Sequence, residues 1–145
     1  MSKTSAKSYY NEWTKHYLQS GYGDVIQAHR PADVQQLLDY IIAQSGMKSG
    51  MKILDAGCGV CGPAIYFAQQ LNIEIDAISI SEEQIRIAKN KIQQNGLEKL
   101  IHTHVCDYHN MDRHFQGETF DLIIMLESFG HSKTPNKVLN AAVSL

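Results

Sequence analysis

Residues 55–62 read DAGCGVCG, and three patterns overlap in these eight letters. An acid precedes three glycines in the spacing G-x-G-x-x-G, and two cysteines in the spacing C-x-x-C lie over the glycines. Glycine turns of this kind bring the backbone close to a nucleotide, whereas paired cysteines serve redox chemistry or a metal ion. The residues around the turn must therefore decide which chemistry it serves.

These surrounding residues predict a strand, a turn and a helix. MKILD, residues 51–55, has the apolar character of a short strand, and Pro63 suits the first turn of the helix that follows. The same alternation continues downstream, and two helices precede it. Strands are predicted at 51–55, 73–80, 100–106 and 120–126, and helices at 8–20, 31–44, from 63, at 81–95 and from 135, with 107–118 irregular or partly helical.

This order of elements predicts an α/β fold of the Rossmann-like, doubly wound type, with a mainly parallel sheet and helices on both faces. Ligands of such sheets bind beyond the carboxyl ends of the strands, near the point where the strand order reverses. The last predicted strand, 120–126, would lie at an unprotected edge, which native proteins usually cover. We therefore expect that the chain is incomplete, or that self-association or another partner covers this edge.

Composition narrows the class of protein. The chain has 145 residues, 43% hydrophobic and 19% charged, with a formal net charge of −2. It is long enough for one domain with a substantial core, and its charge gives no reason to expect nucleic acid or anionic lipid as a partner. Apolar runs are far shorter than the roughly 20 residues that span a bilayer, and the three cysteines accompany no secretory signal. We expect a cytoplasmic protein with reduced thiols.

Asp55 separates two ligand classes at the glycine turn. A carboxylate at the end of the first strand would face the phosphates of a dinucleotide, and like charges at a few ångströms repel. A ligand with a cationic polar end reverses this argument. S-adenosylmethionine carries an ammonium and a sulfonium and no phosphate, so Asp55 can help hold its amino-acid end while Gly57 and Gly59 let the backbone come close.

The paired cysteines, Cys58 and Cys61, leave two weaker alternatives open. A redox pair would need a lowered thiol pKa and a thioredoxin-like order of elements, which the sequence lacks. Zinc would need two further ligands. His102, His104 and Cys106 share one face of a predicted strand, but that strand should lie at the far edge of the sheet. We predict no metal, and interpret both cysteines as small residues that pack under the turn.

ILDAGCGVCGPAIYFA, residues 53–68, resembles motif I of the class I S-adenosylmethionine-dependent methyltransferases. The similarity is greatest to the small-molecule branch, which includes sterol, tocopherol and phosphoethanolamine methyltransferases and cyclopropane fatty-acid synthases. ISISEEQ, residues 78–84, resembles the motif after the second strand in that branch, which implies ribose contacts from Ser79 and Gln84. A capping box formed by Ser81 and Gln84 explains the same letters without a ligand. We expect Glu74 and Asp76, which precede this strand end, to face solvent.

Two later motifs extend the resemblance. VCDYHNM, residues 105–111, resembles the motif after the third strand, which implies that Asp107 accepts a hydrogen bond from the adenine amino group and that Tyr108 packs on its ring. FDLIIMLESFGH, residues 120–131, resembles the fourth-strand motif and places Glu127 and His131 beside the methyl group or the substrate. His131 is a plausible general base because its ordinary pKa lies near neutrality, although a loop acid and a loop histidine are the ordinary alternatives.

The N-terminal residues resemble the lid helix of the same branch, which makes Tyr10 and Tyr22 candidate covers for the cofactor. Helix packing accounts for the nearby aromatic stripe of Tyr9, Trp13 and Tyr17 without a function. The resemblance divides the chain into a lid helix and loop at 1–30 and an incomplete cofactor-binding core at 31–145, without the last strands of the usual seven-stranded sheet. The implied cofactor contacts are Asp55, Gly57, Cys58, Gly59, Ser79, Gln84, Asp107, Tyr108, Tyr10 and Tyr22.

The resemblance implies an S-adenosylmethionine-dependent methyltransferase that acts on an O, N or C atom of a small-molecule acceptor, with Glu127 and His131 as catalytic residues. Two alternatives remain. The chain could bind the cofactor or a partner without catalysis, as one half of a split or truncated enzyme. A nicotinamide-dependent oxidoreductase is less favoured, because of Asp55.

Overall fold

The computed structural model describes residues 5–19 and 33–145. Within these residues the elements follow the order that the sequence predicts. Tyr22, one of the two candidate lid tyrosines, lies outside the described residues. The helices are α1 Ala6–Gln19, α2 Val34–Ser45, α3 Gly62–Gln70, α4 Glu82–Gln94, α5 Met111–His114 and α6 Pro135–Val143; the strands are β1 Lys52–Ala56, β2 Glu74–Ser79, β3 Ile101–Val105 and β4 Leu122–Ile124, with short 3-10 turns at Tyr108–Asn110 and Phe129–His131.

The four strands form one parallel sheet in the order β3-β2-β1-β4. The chain moves outward from β1 to β2 and β3 on one side and places β4 on the other, so the order reverses between β1 and β4. This topology confirms the predicted Rossmann-like α/β class, and β4 occupies an edge of the sheet as expected. β4 is shorter than predicted, because the Asp121 carboxylate accepts the Lys52 N–H at 2.7 Å and Glu127 turns the chain with φ +55°.

Both faces of the sheet are covered by helices. Ile53, Ile75 and Ala77 point to the face on which α2, α3 and α4 pack, around the fully buried Phe67. The alternate residues of β1 and β2 form a second core with α5 and α6 on the opposite face. This two-sided burial is why the strands read as nearly continuous apolar runs. No described helix combines the length and apolar character needed to cross a membrane.

Local signals set the ends of the helices. The Asp33 carboxylate caps α2 by accepting the Gln35 N–H at 2.8 Å, and Gly46 ends that helix in the left-handed region at φ +74°. The Ser81 hydroxyl caps α4 by accepting the Gln84 N–H at 3.2 Å. The end of α2 and the start of α4 fall where the sequence predicts them, whereas the described part of α2 begins at Val34, after the predicted start at 31. The cap of α4 brings Gln84 to the carboxyl end of β2.

Asp76 corrects one prediction. The sequence places it toward solvent, but only 6% of it is exposed, whereas Glu74 is exposed as predicted. His104 donates to the Asp76 carboxylate at 2.7 Å, and the Lys52 ammonium lies 3.6 Å away. Burial would raise the pKa of Asp76, but His104 and Lys52 outweigh burial and lower it. The prediction failed because a sheet covered on both faces has no solvent side on which alternate polar residues must lie.

The aromatic stripe of α1 corrects a second prediction, that helix packing accounts for it. Tyr9 and Trp13 stack on each other at 6.1 Å between ring centroids, and both are exposed, Trp13 by 46%, so these two rings do not pack into the core. Instead, α1 contacts α4 through polar side chains, with Lys7 paired to Glu82 at 2.7 Å. Because α1 lies over the polar N-terminal end of α4 rather than over the apolar sheet, its polar side makes the contacts.

Candidate active site

A cavity of about 270 Å³ lies beyond the carboxyl ends of the strands, where the fold predicts a ligand. Its wall is formed by the segments that follow all four strands, and α1 closes one side. The volume is near the lower end of the range for small-molecule sites, roughly 300–1,000 Å³. The sequence-predicted residues that line it are Tyr10, Gly57, Cys58, Gly59, Ser79, Gln84, Asp107, Tyr108, Glu127 and His131.

Two glycines of the turn after β1 serve different purposes. The N–H groups of Gly57 and Cys58 both donate to the Ile78 carbonyl, at 2.9 and 3.0 Å, which ties the turn to β2. Gly57 has φ +106°, and a Cβ there would lie 2.3 Å from Cβ of Ser128. Gly59 has φ +57°, and a Cβ there would meet nothing within 4 Å. Gly57 is therefore required by packing, whereas Gly59 leaves backbone open to a ligand.

The two cysteines of the turn are buried thiols. Cys61 precedes α3 with φ +61°, and its N–H donates to the Cys58 carbonyl at 2.9 Å. A hydrogen bond with the Cys61 thiol and burial together raise the pKa of Cys58 well above its usual value. The Cys58 thiol therefore stays protonated near neutral pH, and the burial of both cysteines agrees with the packing interpretation. Within residues 5–19 and 33–145, no three His, Cys, Asp or Glu side chains are grouped to hold a metal ion.

Asp55 lies beneath the turn and does not line the cavity itself. Only 2% of the residue is exposed, and its carboxylate has no hydrogen bond or ion pair with any residue that the structure describes. Burial raises its pKa from 3.8 to about 7. Near neutral pH this carboxyl therefore exists in both protonation states, and a cation brought close to it would favour the ionised state.

At the end of β2, Ser79 and Gln84 bind each other. The Ser79 hydroxyl donates to Oε1 of Gln84 at 2.7 Å and accepts the Ser81 N–H at 3.1 Å. The predicted capping box is therefore only half formed, because Ser81 caps α4 while the Gln84 side chain turns to Ser79. Oε1 of Gln84 is occupied by this bond, and its NH₂ group has no partner among the described residues, so it is free to donate to a ligand.

After β3, a chain of hydrogen bonds holds Asp107. Nδ1–H of His109 donates to the Asp107 carboxylate at 2.6 Å, and Nε2 lies 2.8 Å from the Ser132 hydroxyl. Since a carboxylate only accepts, Nδ1 of His109 carries the hydrogen of the first bond. His109 and Ser132 are not predicted from the sequence, because no pattern in it relates residues 23 positions apart in two loops.

After β4, Glu127 and His131 enter the cavity wall together. Ser128 fixes the start of this segment by donating its hydroxyl to the Ala56 carbonyl at 2.6 Å, and Glu127 has left-handed backbone at φ +55°. Nε2 of His131 lies 3.2 Å from the Tyr10 hydroxyl, so α1 and the β4 segment meet across the cavity. Burial raises the pKa of Tyr10, which therefore stays protonated at neutral pH.

Comparison with known proteins agrees with this geometry. Residues 47–145 match the family model described as a methyltransferase domain. Norajmaline N-methyltransferase of Rauvolfia serpentina is 29% identical over 96 residues, which are 66% of this chain and 32% of that protein. The chain spans about a third of the length of the curated relatives it matches.

Solved structures share the fold. The [4+2]-cyclase SpnF superposes with a TM-score of 0.85 at 19% identity, covering 99% of this chain and 56% of that one. Phosphoethanolamine N-methyltransferase 2 of Haemonchus contortus, solved with phosphomonomethylethanolamine and S-adenosylhomocysteine, gives a TM-score of 0.72 at 20% identity over 88% of this chain and 29% of that one. At these identities the likeness establishes the fold alone.

Proposed function

The chain belongs to the methyltransferase-domain family, and we propose that it binds S-adenosylmethionine in the cavity and transfers the methyl group to a small-molecule acceptor. The observation that carries this proposal is the cavity, which joins the open backbone of Gly59 to polar side chains at the ends of β2, β3 and β4. The buried Asp55 carboxyl, which has no described hydrogen-bond partner, adds a group that a cationic ligand would satisfy.

The residues present fit the cofactor along the cavity. Asp55 and the turn at Gly57 to Gly59 would hold its amino-acid end, and the free NH₂ group of Gln84 would donate to a ribose hydroxyl. Asp107, oriented by His109, would accept the adenine amino group. Tyr108 lies beside Asp107 and donates its hydroxyl to the Ser128 carbonyl at 3.3 Å, so its ring spans this end of the cavity.

Bound S-adenosylmethionine supplies a methyl group already activated by its sulfonium. The protein therefore has mainly to align the acceptor atom with that methyl group, and alignment accounts for ~7–11 kcal/mol of the barrier in favourable intramolecular systems. The Tyr10–His131 contact joins α1 to the β4 segment across the cavity, which would hold α1 beside the acceptor. An acceptor that arrives protonated would give its proton to the Tyr10 hydroxyl oxygen as that hydroxyl passes its own proton to Nε2 of His131.

A two-part experiment tests this function. Calorimetric titration with S-adenosylhomocysteine should show binding, and labelled S-adenosylmethionine should transfer label to members of a small-molecule pool. His131→Gln should change the affinity for S-adenosylhomocysteine by no more than about threefold. It should slow transfer to proton-bearing acceptors by roughly 10²-fold or more, which is the usual contribution of a general base. Absence of S-adenosylhomocysteine binding to folded protein, or NAD binding in its place, would overturn the proposal.

His109→Ala gives a separate prediction for the adenine end. Loss of the 2.6 Å bond frees the Asp107 carboxylate to rotate, and a net hydrogen bond is worth about 1 kcal/mol. We expect about a five-fold weaker affinity for S-adenosylhomocysteine and little change in thermal stability, since Asp107 is half exposed. His114→Ala, which changes a histidine outside the cavity, serves as the control. Equal affinity in wild type and His109→Ala would show that His109 does not support cofactor binding by orienting Asp107.

Binding without methyl transfer is the second candidate function. SpnF, which shares the fold, is named a cyclase, so the fold by itself does not require methyl transfer. The same two-part experiment separates the candidates, because a binding module would bind S-adenosylhomocysteine and transfer no label to any acceptor.

Three further proposals concern the context of the site. α1 acts as its lid, supported by the Ala6 and Tyr10 side chains in the cavity wall, and the rest of the predicted lid segment up to residue 30 lies outside the described residues. The location is cytoplasmic and nucleic acid is not a partner, supported by three unpaired thiols and a net charge of −2. Self-association through the free edge of β4 stays a prediction, which the mass of the protein in solution tests.

A further inference from the structure

The charges of the cavity wall are all of one sign. Asp107 and Glu127 line it, Asp55 lies beneath it, and no lysine or arginine occurs among its described lining residues. Its two histidines, His109 and His131, are the only basic groups among those lining residues. An acceptor that carries a carboxylate or phosphate next to its reactive atom would therefore meet repulsion and no compensating cation.

Of these three acids, Glu127 is the one available to contact the acceptor. Asp107 is held by His109 at 2.6 Å at the end of β3, and Asp55 lies under the turn after β1. Glu127 follows β4, in the same segment as His131, and its carboxylate has no hydrogen bond or ion pair with any described residue. Glu127 therefore adds to the cavity wall a carboxylate that no described residue neutralises.

Charge balance in the reaction connects Glu127 with one class of acceptor. When an uncharged nitrogen attacks the methyl carbon, the N–C bond forms and the S–C bond breaks, with the electron pair of the broken bond left on sulfur. The positive charge consequently moves from sulfur to nitrogen. A carboxylate beside the nitrogen stabilises that charge as it develops, whereas it opposes attack by an anionic oxygen.

The neighbouring groups fit the proton balance of the same step. An amine reaches the cavity mainly as an ammonium ion, which Glu127 attracts, and it must lose a proton before it can attack. The Tyr10 hydroxyl can take that proton as it passes its own to Nε2 of His131, which lies 3.2 Å away. For a tertiary amine the product stays a quaternary ammonium ion, and its positive charge remains opposite Glu127.

We infer that the methyl acceptor is an amine, and that the Glu127 carboxylate selects it over neutral and anionic molecules of the same shape. This inference rests on the proposed function, because the cofactor must occupy the rest of the cavity.

The test uses matched fragments on the complex with S-adenosylhomocysteine. Each scaffold of a small fragment set carries a dimethylamino group, an isopropyl group or a carboxylate, so that shape is constant and charge varies. Binding is measured by saturation-transfer NMR and titration. We expect the amines to bind at least about five-fold more tightly than their isopropyl counterparts, and the carboxylates most weakly.

Two variants make the result specific. Glu127→Gln should abolish the preference for amines. The control, Glu98→Gln, removes the same charge from an exposed residue outside the cavity and should retain that preference. A preference that is absent in wild type, or that survives in Glu127→Gln, overturns the inference. Failure to bind S-adenosylhomocysteine overturns the proposed function itself, so the two failures are distinguishable.

Discussion

Replacing Asp55 with asparagine should stabilise the folded protein above pH 7 and weaken its affinity for S-adenosylmethionine. Burial raises the pKa of this carboxyl from 3.8 to about 7, so ionised Asp55 opposes folding. A difference of about three pH units corresponds to roughly 4 kcal/mol of unfolding free energy. Asparagine has similar size and carries no charge, and it therefore removes this penalty.

The pH dependence of stability follows from the direction of the pKa shift. Below about pH 4 the carboxyl is protonated in both the folded and the unfolded chain, and Asp55 imposes no penalty. Between about pH 4 and 7 the unfolded chain loses the proton while the folded chain keeps it, so stability falls as pH rises. Thermal unfolding should therefore show a gain from Asp55→Asn that grows over this interval and is constant above it.

Asp76→Asn is the matched control, since it changes a buried aspartate of the neighbouring strand. His104 and Lys52 lower the pKa of Asp76, so its ionised form supports folding at neutral pH and this support is lost in acid. Asp76→Asn should thus destabilise the protein at pH 7, in the opposite sense to Asp55→Asn. Two variants that shift stability in the same direction at pH 8 would contradict this account of the two carboxyls.

Ligand binding gives the second readout for Asp55. A ligand ammonium near the carboxyl favours its ionised form, so binding near pH 7 should release a fraction of a proton and strengthen as pH rises toward 8. Asp55→Asn should weaken the affinity for S-adenosylmethionine by roughly 10- to 100-fold, the range for a hydrogen bond to a charged group. It should also remove the pH dependence of binding. Calorimetry in buffers of different ionisation enthalpy measures both effects. Undiminished affinity would exclude Asp55 from the site.

Gly57→Ala and Gly59→Ala should have contrasting effects. A Cβ at Gly57 would lie 2.3 Å from Cβ of Ser128, whose hydroxyl anchors the β4 segment to Ala56. Overpacking costs about 1–3 kcal/mol, and backbone at φ +106° adds to it. We expect Gly57→Ala to lower the melting temperature by roughly 5–12 °C and to displace Glu127 and His131.

At Gly59 an added Cβ meets no protein atom within 4 Å, and the left-handed backbone costs about 1 kcal/mol with alanine. Gly59→Ala should therefore lower the melting temperature by only a few degrees. It should nevertheless weaken the affinity for S-adenosylhomocysteine more than ten-fold, because the alanine methyl group enters the cavity wall. Differential scanning calorimetry and ligand titration on both variants compare the effects. A Gly59→Ala variant with normal affinity would show that the ligand does not approach the turn.

The sequence by itself determines the alternation of strands and helices and the position of the site. Apolar patterns and local caps such as Ser81 and Gly46 predict the elements, since they depend on neighbours a few residues away. Parallel strands bring their carboxyl ends to one edge, so residues after each strand, such as Gly59, Ser79, Asp107 and His131, must line a common cavity. These residues can therefore be assigned to the cavity wall without knowledge of their contacts.

The tertiary structure alone decides what depends on contacts between distant segments. The ionisation of Asp55 and Asp76 differs because one has no described hydrogen-bond partner and the other meets His104 and Lys52, although both read as acids in apolar strands. The orientation of Asp107 by His109 and Ser132 arises from two loops that meet only in the folded chain. Burial and pairing are properties of three-dimensional neighbours, and the letters next to a residue do not specify them.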